Sequence, residues 1–313
     1  MVTSRLHQTQ GGPVSVVVVS FESGAVLDRC LASLPAAAPR RGVAAWVADN
    51  ASSDDSVGIA LRHLPADRVL RLSENRGFAA GVNAALGRVS GQPMTPWIAI
   101  VNPDTIVPPG TLDTLCDVLE RHPRAGLAAP HVVRPDGRPE ASVGRFPTPR
   151  RERNHALKLD RVPGPEGRTC PFPHAPTPVD WVSGCAWLLR VEAILDTGPL
   201  DEGFFMYYDD VDYCRRLWSA GWEVLATPEA EVIHAGGEGS RATPLLPAEG
   251  GRSPLRYFSK HLTRDEEACA RRWLERGWRL RALAHGLRGI FGHSTSIRQA
   301  ARYRLALDRV SGR

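Results

Sequence analysis

The chain has 313 residues, 42% hydrophobic and 23% charged, ordinary globular values that exclude wholesale disorder. Its formal charge of +5 is unevenly placed: residues 264–313 hold 12 Arg against 5 acids, and the remainder holds 27 basic and 29 acidic residues. A near-neutral body with a basic tail argues against nucleic-acid binding across the body, and six scattered cysteines with no C-x-x-C pair fit reduced thiols better than a disulfide framework or a zinc site.

No run approaches the roughly 18–20 apolar residues of a membrane-spanning helix. The opening MVTSRLHQTQGG has no apolar h-region, so no secretory signal and a cytoplasmic location are expected, with residues 1–13 disordered. Val14–Val19 is a β-branched run expected as a strand buried on both faces. A helix follows with Val26, Leu27, Cys30, Leu31 and Leu34 at helical spacing. Ala44–Ala48, Val69–Leu72 and Trp97–Val101 read as further strands, and Val57–Leu64, Phe78–Val89 and Thr111–Arg121 as helices. Strands alternating with helices predict an α/β protein with a mostly parallel central sheet flanked by helices. From 131 to 178 Pro, Gly and Arg punctuate the chain, as expected of an irregular insertion. Order returns at Val179–Leu189, 235–254 reads as a Gly/Pro-rich loop, and 263–313 as a basic helical tail.

Polar residues gather just after the strands, at the edge where open α/β sheets bind ligands. Asp49 can accept from a ribose or base N–H, or serve the turn Asp49–Asp55 as a cap. Asn75–Asn83 opens a helix: Arg76 suits a phosphate, and Gly77 permits close backbone approach. G-x-G-x-x-G is absent after the first strand, which weakens a dehydrogenase reading. Asn102-Pro-Asp104 offers an oxygen ligand suited to Mg²⁺ or Mn²⁺ on a diphosphate. Asp209, Asp210 and Asp212 open a helix closed by Gly221, after five large residues that could hold a carboxylate in a partly dry cleft as general base. Acids at a helix start are favourable in any case. His234 at a strand end is a candidate metal ligand or a structural histidine.

Taken in order, seven stretches resemble glycosyltransferase family 2: VVVVSFESG at 16–24, WVADNASSD at 46–54, ENRGFAAGVN at 74–83, VNPDT at 101–105, DWVSGCAWLLR at 180–190, GPLDEGFFMYYDDVD at 198–212 and GWEVL at 221–225 through His234. The Asn-Pro-Asp and Phe-Phe-Met-Tyr signatures resemble the bacterial rhamnosyltransferase-like branch. The resemblance implies the nucleotide-diphospho-sugar (GT-A) fold over residues 14–262, with a nucleotide-binding half at 14–130 and an acceptor and catalytic half at 179–262. It implies an inverting hexosyltransferase that moves a sugar, rhamnose among the candidates, from a dTDP-, UDP- or GDP-linked donor to a saccharide or lipid-linked acceptor. The setting would be cell-wall, surface-polysaccharide or glycolipid assembly. Ser20, Phe21, Glu22 and Asp49 would line the nucleoside pocket, and Arg76, Gly77 and Asn83 would hold the nucleotide end. Asn102 and Asp104 stand at the family's metal motif, with His234 as second ligand to Mg²⁺ or Mn²⁺. Asp210 aligns with the catalytic base, Asp209 replaces the usual Glu, and Trp181 and Gly184 would border the sugar or acceptor.

Two rivals remain. A nucleotidyltransferase would carry a Gly-rich loop with Lys or Arg where Ser20–Gly24 stands. A non-catalytic nucleotide-sugar binding module would not need Asp104, Asp210 and His234. In the tail, Trp273, Leu280, Leu283, Leu287, Ile290 and Phe291 fall near helical spacing among arginines. That pattern suits peripheral contact with the inner face of an anionic membrane, or packing on the body or on a second subunit.

Overall fold

The structure, a computed structural model, describes residues 12–89, 95–159, 167, 168, 170–236 and 246–290, with 301, 303, 304 and 307. Most of the expected disordered segment 1–13 and of the tail beyond 290 lies outside the described residues.

Strand β1 (Val14–Ser20) is buried at every position. Its side chains alternate between two cores: Val17 and Val19 enter one, and Val14, Val16 and Val18 the other. A strand that is apolar on both faces needs helices on both. On one side lie α1 (Gly24–Ala37), α2 (Ser56–His63) and α4 (Thr111–Arg121). The five apolar positions that predict α1 are all buried. On the other side lie α3 (Phe78–Val89) and α7 (Asp209–Ser219). Residues of α8 (Leu246–His261) and α9 (Arg264–Ile290) join that second core through Tyr257, Phe258, Leu274 and Trp278.

The sheet adds β2 (Val43–Asp49), β3 (Val69–Arg71), β4 (Trp97–Val101), β5 (Thr105–Ile106), β6 (Ala125–Val133), β8 (Thr177–Pro178), β10 (Ala186–Arg190) and β11 (Glu223–His234). Its order is β3-β2-β1-β4-β10-β6-β11-β5, with β8 beside β11. The expected parallel sheet is the β3-β2-β1-β4 half. β10 then enters antiparallel to both β4 and β6, and β11 runs parallel to β6, so the sheet as a whole is mixed. The chain leaves β1 toward β2 and β3, then returns to β1's other side as β4. That reversal opens a crevice at the carboxyl ends of β1 and β4.

The insertion contains short elements: β7 (Val143–Gly144) pairs with β9 (Trp181–Val182), and α5 spans Pro149–Ala156. Thr148 caps α5 by accepting the Arg151 N–H, and Pro149 opens it, a start signal hidden within a Pro-rich stretch. The expected loop at 235–254 is overturned from 246 onward: α8 runs through Pro254, anchored by buried Tyr257 and Phe258. A short helix, α6 (Val191–Thr197), links β10 to the strap before α7. The tail helix α9 packs on α5, where Gly277 meets Ala156 and Arg281 donates to the His155 carbonyl at 2.9 Å. Among the described residues no helix is long and apolar enough to cross a membrane.

Candidate active site

A cleft of about 280 Å³ opens at the topological reversal. Of the residues singled out from sequence, Phe21, Gly77, Asn102, Asp104, Gly184, Asp209 and His234 line it.

One wall is set by strand pairing. β5 runs antiparallel to β11 with Thr105 opposite His234, and the Ala235 N–H donates to the Asp104 carbonyl at 2.9 Å. This brings Asp104 Oδ1 to 3.3 Å from His234 Nε2. β6 is also parallel to β11, with Val133 opposite Ile233, so the loop after β6 folds back beside His234. There Glu140 Oε2 lies 3.2 Å from His234 Nδ1. Burial alone would lower the imidazole, but hydrogen bonds to Asp104 and Glu140 outweigh it and raise His234 above its ordinary value. Sequence reading missed Glu140, because nothing in a Pro/Gly-rich insertion indicates where its loop returns.

The opposite wall is a strained turn. Tyr207 and Tyr208 both adopt left-handed backbone, φ 65° and 63°, a conformation costly for L-residues outside glycine. Half-buried Tyr208 is held by the Arg168 guanidinium, which bonds its hydroxyl and lies over its ring. The turn delivers Asp209 to the cleft and starts α7. Asp210 Oδ2 accepts the Gly184 N–H at 3.2 Å, tying the acid pair to a cleft-lining backbone. Burial raises both carboxyls. Asp210 is partly relieved by the N–H groups of Val211 and Gly184, whereas the adjacent Asp210 charge pushes Asp209 higher still. The pair as a whole therefore holds a proton above the ordinary carboxylate range.

The floor joins the two walls. Gly77 has φ +91°, and a Cβ there would stand 2.2 Å from the Phe205 carbonyl oxygen. Only glycine lets the start of α3 press against the 204–206 strap, where the Phe78 N–H meets that same carbonyl at 3.2 Å. Asn50 is 2% exposed and lines the cleft; its Nδ2 donates to the Gly77 carbonyl, and its Oδ1 has no partner among the described residues. A buried acceptor without a donor is costly, so it marks where a ligand N–H or O–H would bind. Sequence reading took neighbouring Asp49 instead.

The remaining expected residues do not line the cleft. Asp49 is buried with its two oxygens on the Ser52 N–H and hydroxyl, at 2.9 and 2.6 Å, so it closes its own turn. Glu22 accepts from the Ser53 N–H and hydroxyl, linking the loops after β1 and β2. Ser20 is fully buried with its hydroxyl unpartnered. Arg76 pairs with Glu202 at 2.7 Å. Asn83 exchanges hydrogen bonds with the Leu200 backbone and reaches Glu202. Arg76 and Asn83 thus fasten the strap leading to Phe205 instead of facing the cleft. The Trp181 indole donates to the Arg145 carbonyl and lies over Gly144, away from the cleft.

The donor set suits a hard divalent cation held jointly with a diphosphate. Among the described residues no three His, Cys, Asp or Glu side chains are placed to hold a metal unaided. Asp104 and His234 together supply one oxygen and one nitrogen at the cleft wall, and Mg²⁺ or Mn²⁺ commonly takes one or two protein ligands plus phosphate oxygens.

The sequence profile described as Glycosyl transferase family 2 matches residues 15–182. Over 320 residues the chain is 33% identical to the N-acetylglucosaminyl-diphospho-decaprenol L-rhamnosyltransferase of Mycobacterium tuberculosis, covering 95% of this chain and 98% of that protein. The chain belongs to glycosyl transferase family 2. A low-salt glycan biosynthesis hexosyltransferase of Haloferax volcanii is 23% identical over 237 residues, covering 74% of this chain and 70% of that protein. The mannosyltransferase of Pyrobaculum calidifontis, solved in complex with GDP-Man and Mn²⁺, is 15% identical with a TM-score of 0.57 and covers 97% of this chain and 89% of that one. At that identity the likeness shows the fold, which is GT-A. This family 2 glycosyltransferase therefore carries its cleft where the fold reverses, lined by the Asp104–His234 pair and by Asp209, while Asp210 does not itself line the cleft but is held by the N–H of cleft-lining Gly184.

Proposed function

We propose that this glycosyltransferase moves L-rhamnose from a nucleotide-diphospho-sugar to a hydroxyl of a lipid-linked N-acetylglucosaminyl diphosphate, with inversion, at the inner face of the cell membrane. The observation that carries the reading is that Asp104, His234 and Asp209 line one cleft, with Asp210 next to Asp209 and held by the N–H of cleft-lining Gly184. The near end-to-end likeness to the mycobacterial rhamnosyltransferase supports the choice of sugar and acceptor.

In this mechanism, residues 14–130 hold the nucleotide end of the donor through Phe21, Asn50 and Gly77. Asp104 and His234 would hold Mg²⁺ or Mn²⁺, which when bound offsets negative charge on the departing diphosphate. Asp210 takes the proton from the acceptor hydroxyl, whose oxygen attacks the anomeric carbon. The carbon–oxygen bond to the diphosphate breaks on the opposite face. The Gly184 N–H keeps Asp210 oriented, and a proton shared with Asp209 would keep the pair from carrying two adjacent charges. A positioned base of this kind contributes typically about 10²–10⁴-fold.

The test is a panel of dTDP-, UDP- and GDP-linked sugars scored by thermal shift with and without Mn²⁺, followed by transfer to a polyprenyl-diphospho-N-acetylglucosamine. A bound donor raises Tm by mass action. Stabilisation by a rhamnose donor and release of nucleoside diphosphate on acceptor addition are expected. Pyrophosphate release would favour a nucleotidyltransferase, and binding without turnover would favour a non-catalytic module.

A further inference from the structure

We infer that the corner formed by α5 and α9 is a docking face for an anionic bilayer surface. α9 has two unlike sides. Its inward side carries Ala270, Leu274, Trp278 and Ala282, buried at four-residue intervals. Its outward side carries Arg272, Arg276, Arg279, Leu280, Leu283 and Leu287, which follow at i, i+4, i+7, i+8, i+11 and i+15 and so form one stripe. Leu280, Leu283 and Leu287 are 49%, 65% and 60% exposed. A helix that needed only to pack on the body would be polar there.

The stripe does not stand alone. Leu157 and Leu159, 45% and 54% exposed, follow α5 just where α9 docks, since Ala156 meets Gly277 and His155 accepts from Arg281. Five of the eight exposed large hydrophobics among the described residues therefore belong to these two adjoining segments. Exposed Arg153 and Lys158 flank the leucines on the α5 side.

Charge identifies the occupant. From Arg276 to Ile290 the helix has four Arg and no acid. The acids of α9 lie in its first turn, or at Glu275, which is 3.7 Å from Arg279. A second copy seated here would set this positive face against itself, which opposes association. An anionic surface accepts it: leucines enter the acyl boundary while arginines stay at the phosphates. The Arg276 guanidinium over the Trp273 ring, 5.0 Å from its centroid, adds an aromatic suited to that interface.

The experiment uses the full chain with vesicles of phosphatidylcholine alone or mixed with phosphatidylglycerol, read by co-sedimentation. Binding to the mixed vesicles is expected, falling with added salt, and little to phosphatidylcholine alone. The double variant L283E/L287E replaces exposed side chains, so Tm should hold while partitioning falls about a hundredfold, roughly tenfold per leucine. Absence of binding to mixed vesicles, or unchanged binding of the variant, overturns the proposal. A solution dimer that L283E/L287E splits into monomers also overturns it, by assigning the face to a second copy. Neither readout needs a sugar donor, so failure here is separate from failure of the proposed reaction.

Discussion

Asp104 and His234 meet at 3.3 Å, carboxylate to imidazole, because a two-residue strand pairing places Thr105 opposite His234. This contact fixes the direction of both side chains before any ligand arrives. D104A and H234A should each raise the Mn²⁺ needed for half-maximal transfer, by about tenfold or more. E140Q should produce a smaller rise, since Glu140 acts only through the imidazole's far nitrogen and orients the ring instead of holding the ion. Unaltered Mn²⁺ titration curves would remove the pair from the cation's binding set.

The acid pair gives a signed comparison. If Asp210 is the ionised base and Asp209 its protonated neighbour, D209N mimics the resident state and keeps most turnover near neutral pH. D210N should lose about 10²–10⁴-fold in kcat while donor affinity is retained. The reverse ranking of the two variants in single-turnover assays would transfer the role to Asp209.

Asn50 offers an acceptor that the protein itself leaves unused. N50A should weaken nucleoside diphosphate binding by about tenfold, the order expected for one buried hydrogen bond. Calorimetric titration with equal affinities for wild type and variant would show that the acceptor points elsewhere.

Gly77 cannot be replaced without moving backbone. G77A places a Cβ against the Phe205 carbonyl and adds a left-handed penalty of roughly 1–2 kcal/mol. Urea unfolding should show a loss of about 2 kcal/mol or more, and turnover should fall because the same strap carries Tyr207–Asp210. A variant with wild-type stability would mean that the strap moves freely.

Acid sensitivity should centre on Asp212. Its carboxylate is fully buried and meets Arg216, Lys260 and His261 at 2.9, 2.8 and 2.7 Å, joining α7 to α8. Burial would raise it, but those three partners outweigh burial and hold it below the ordinary carboxylate range. A group depressed on folding contributes stability above its unfolded value, about 3.9, and that contribution fades as pH falls through the folded value. The D212N variant should lose roughly 3 kcal/mol at pH 7 and show a shallower further loss on acidification below about pH 4 than wild type. Parallel stability–pH curves would show that Asp212 does not drive the acid transition.

Much of this was legible in local pattern. β1 reads as doubly buried because its valines are unbroken, and α1 because its apolar positions fall on one stripe. The placement of Asp104 and His234 at the cleft was legible because one follows an apolar strand and the other ends one, where the sheet's carboxyl edge collects ligands. What was hidden depends on contacts distant in sequence. No local signal says that β10 enters antiparallel between β4 and β6, or that the 134–140 loop brings Glu140 to His234. Arg76 and Asn83 looked like donor ligands because the segment that occupies them, Leu200–Glu202, lies more than a hundred residues away. Asp49 and Asn50 are adjacent, and only the Ser52 bonds decide which one faces the cleft.

The position of β10 bears on how this enzyme could diversify. Its two edges are bonded to β4, which borders β1 of the parallel half, and to β6, which pairs with the His234-bearing β11. The parallel half and the β6–β11 half therefore have no seam between them. Exchanging one half with a relative would require rebuilding two hydrogen-bonded strand edges and both cores at once. The loops that cap the strands, by contrast, can change length and residue without disturbing the ladder.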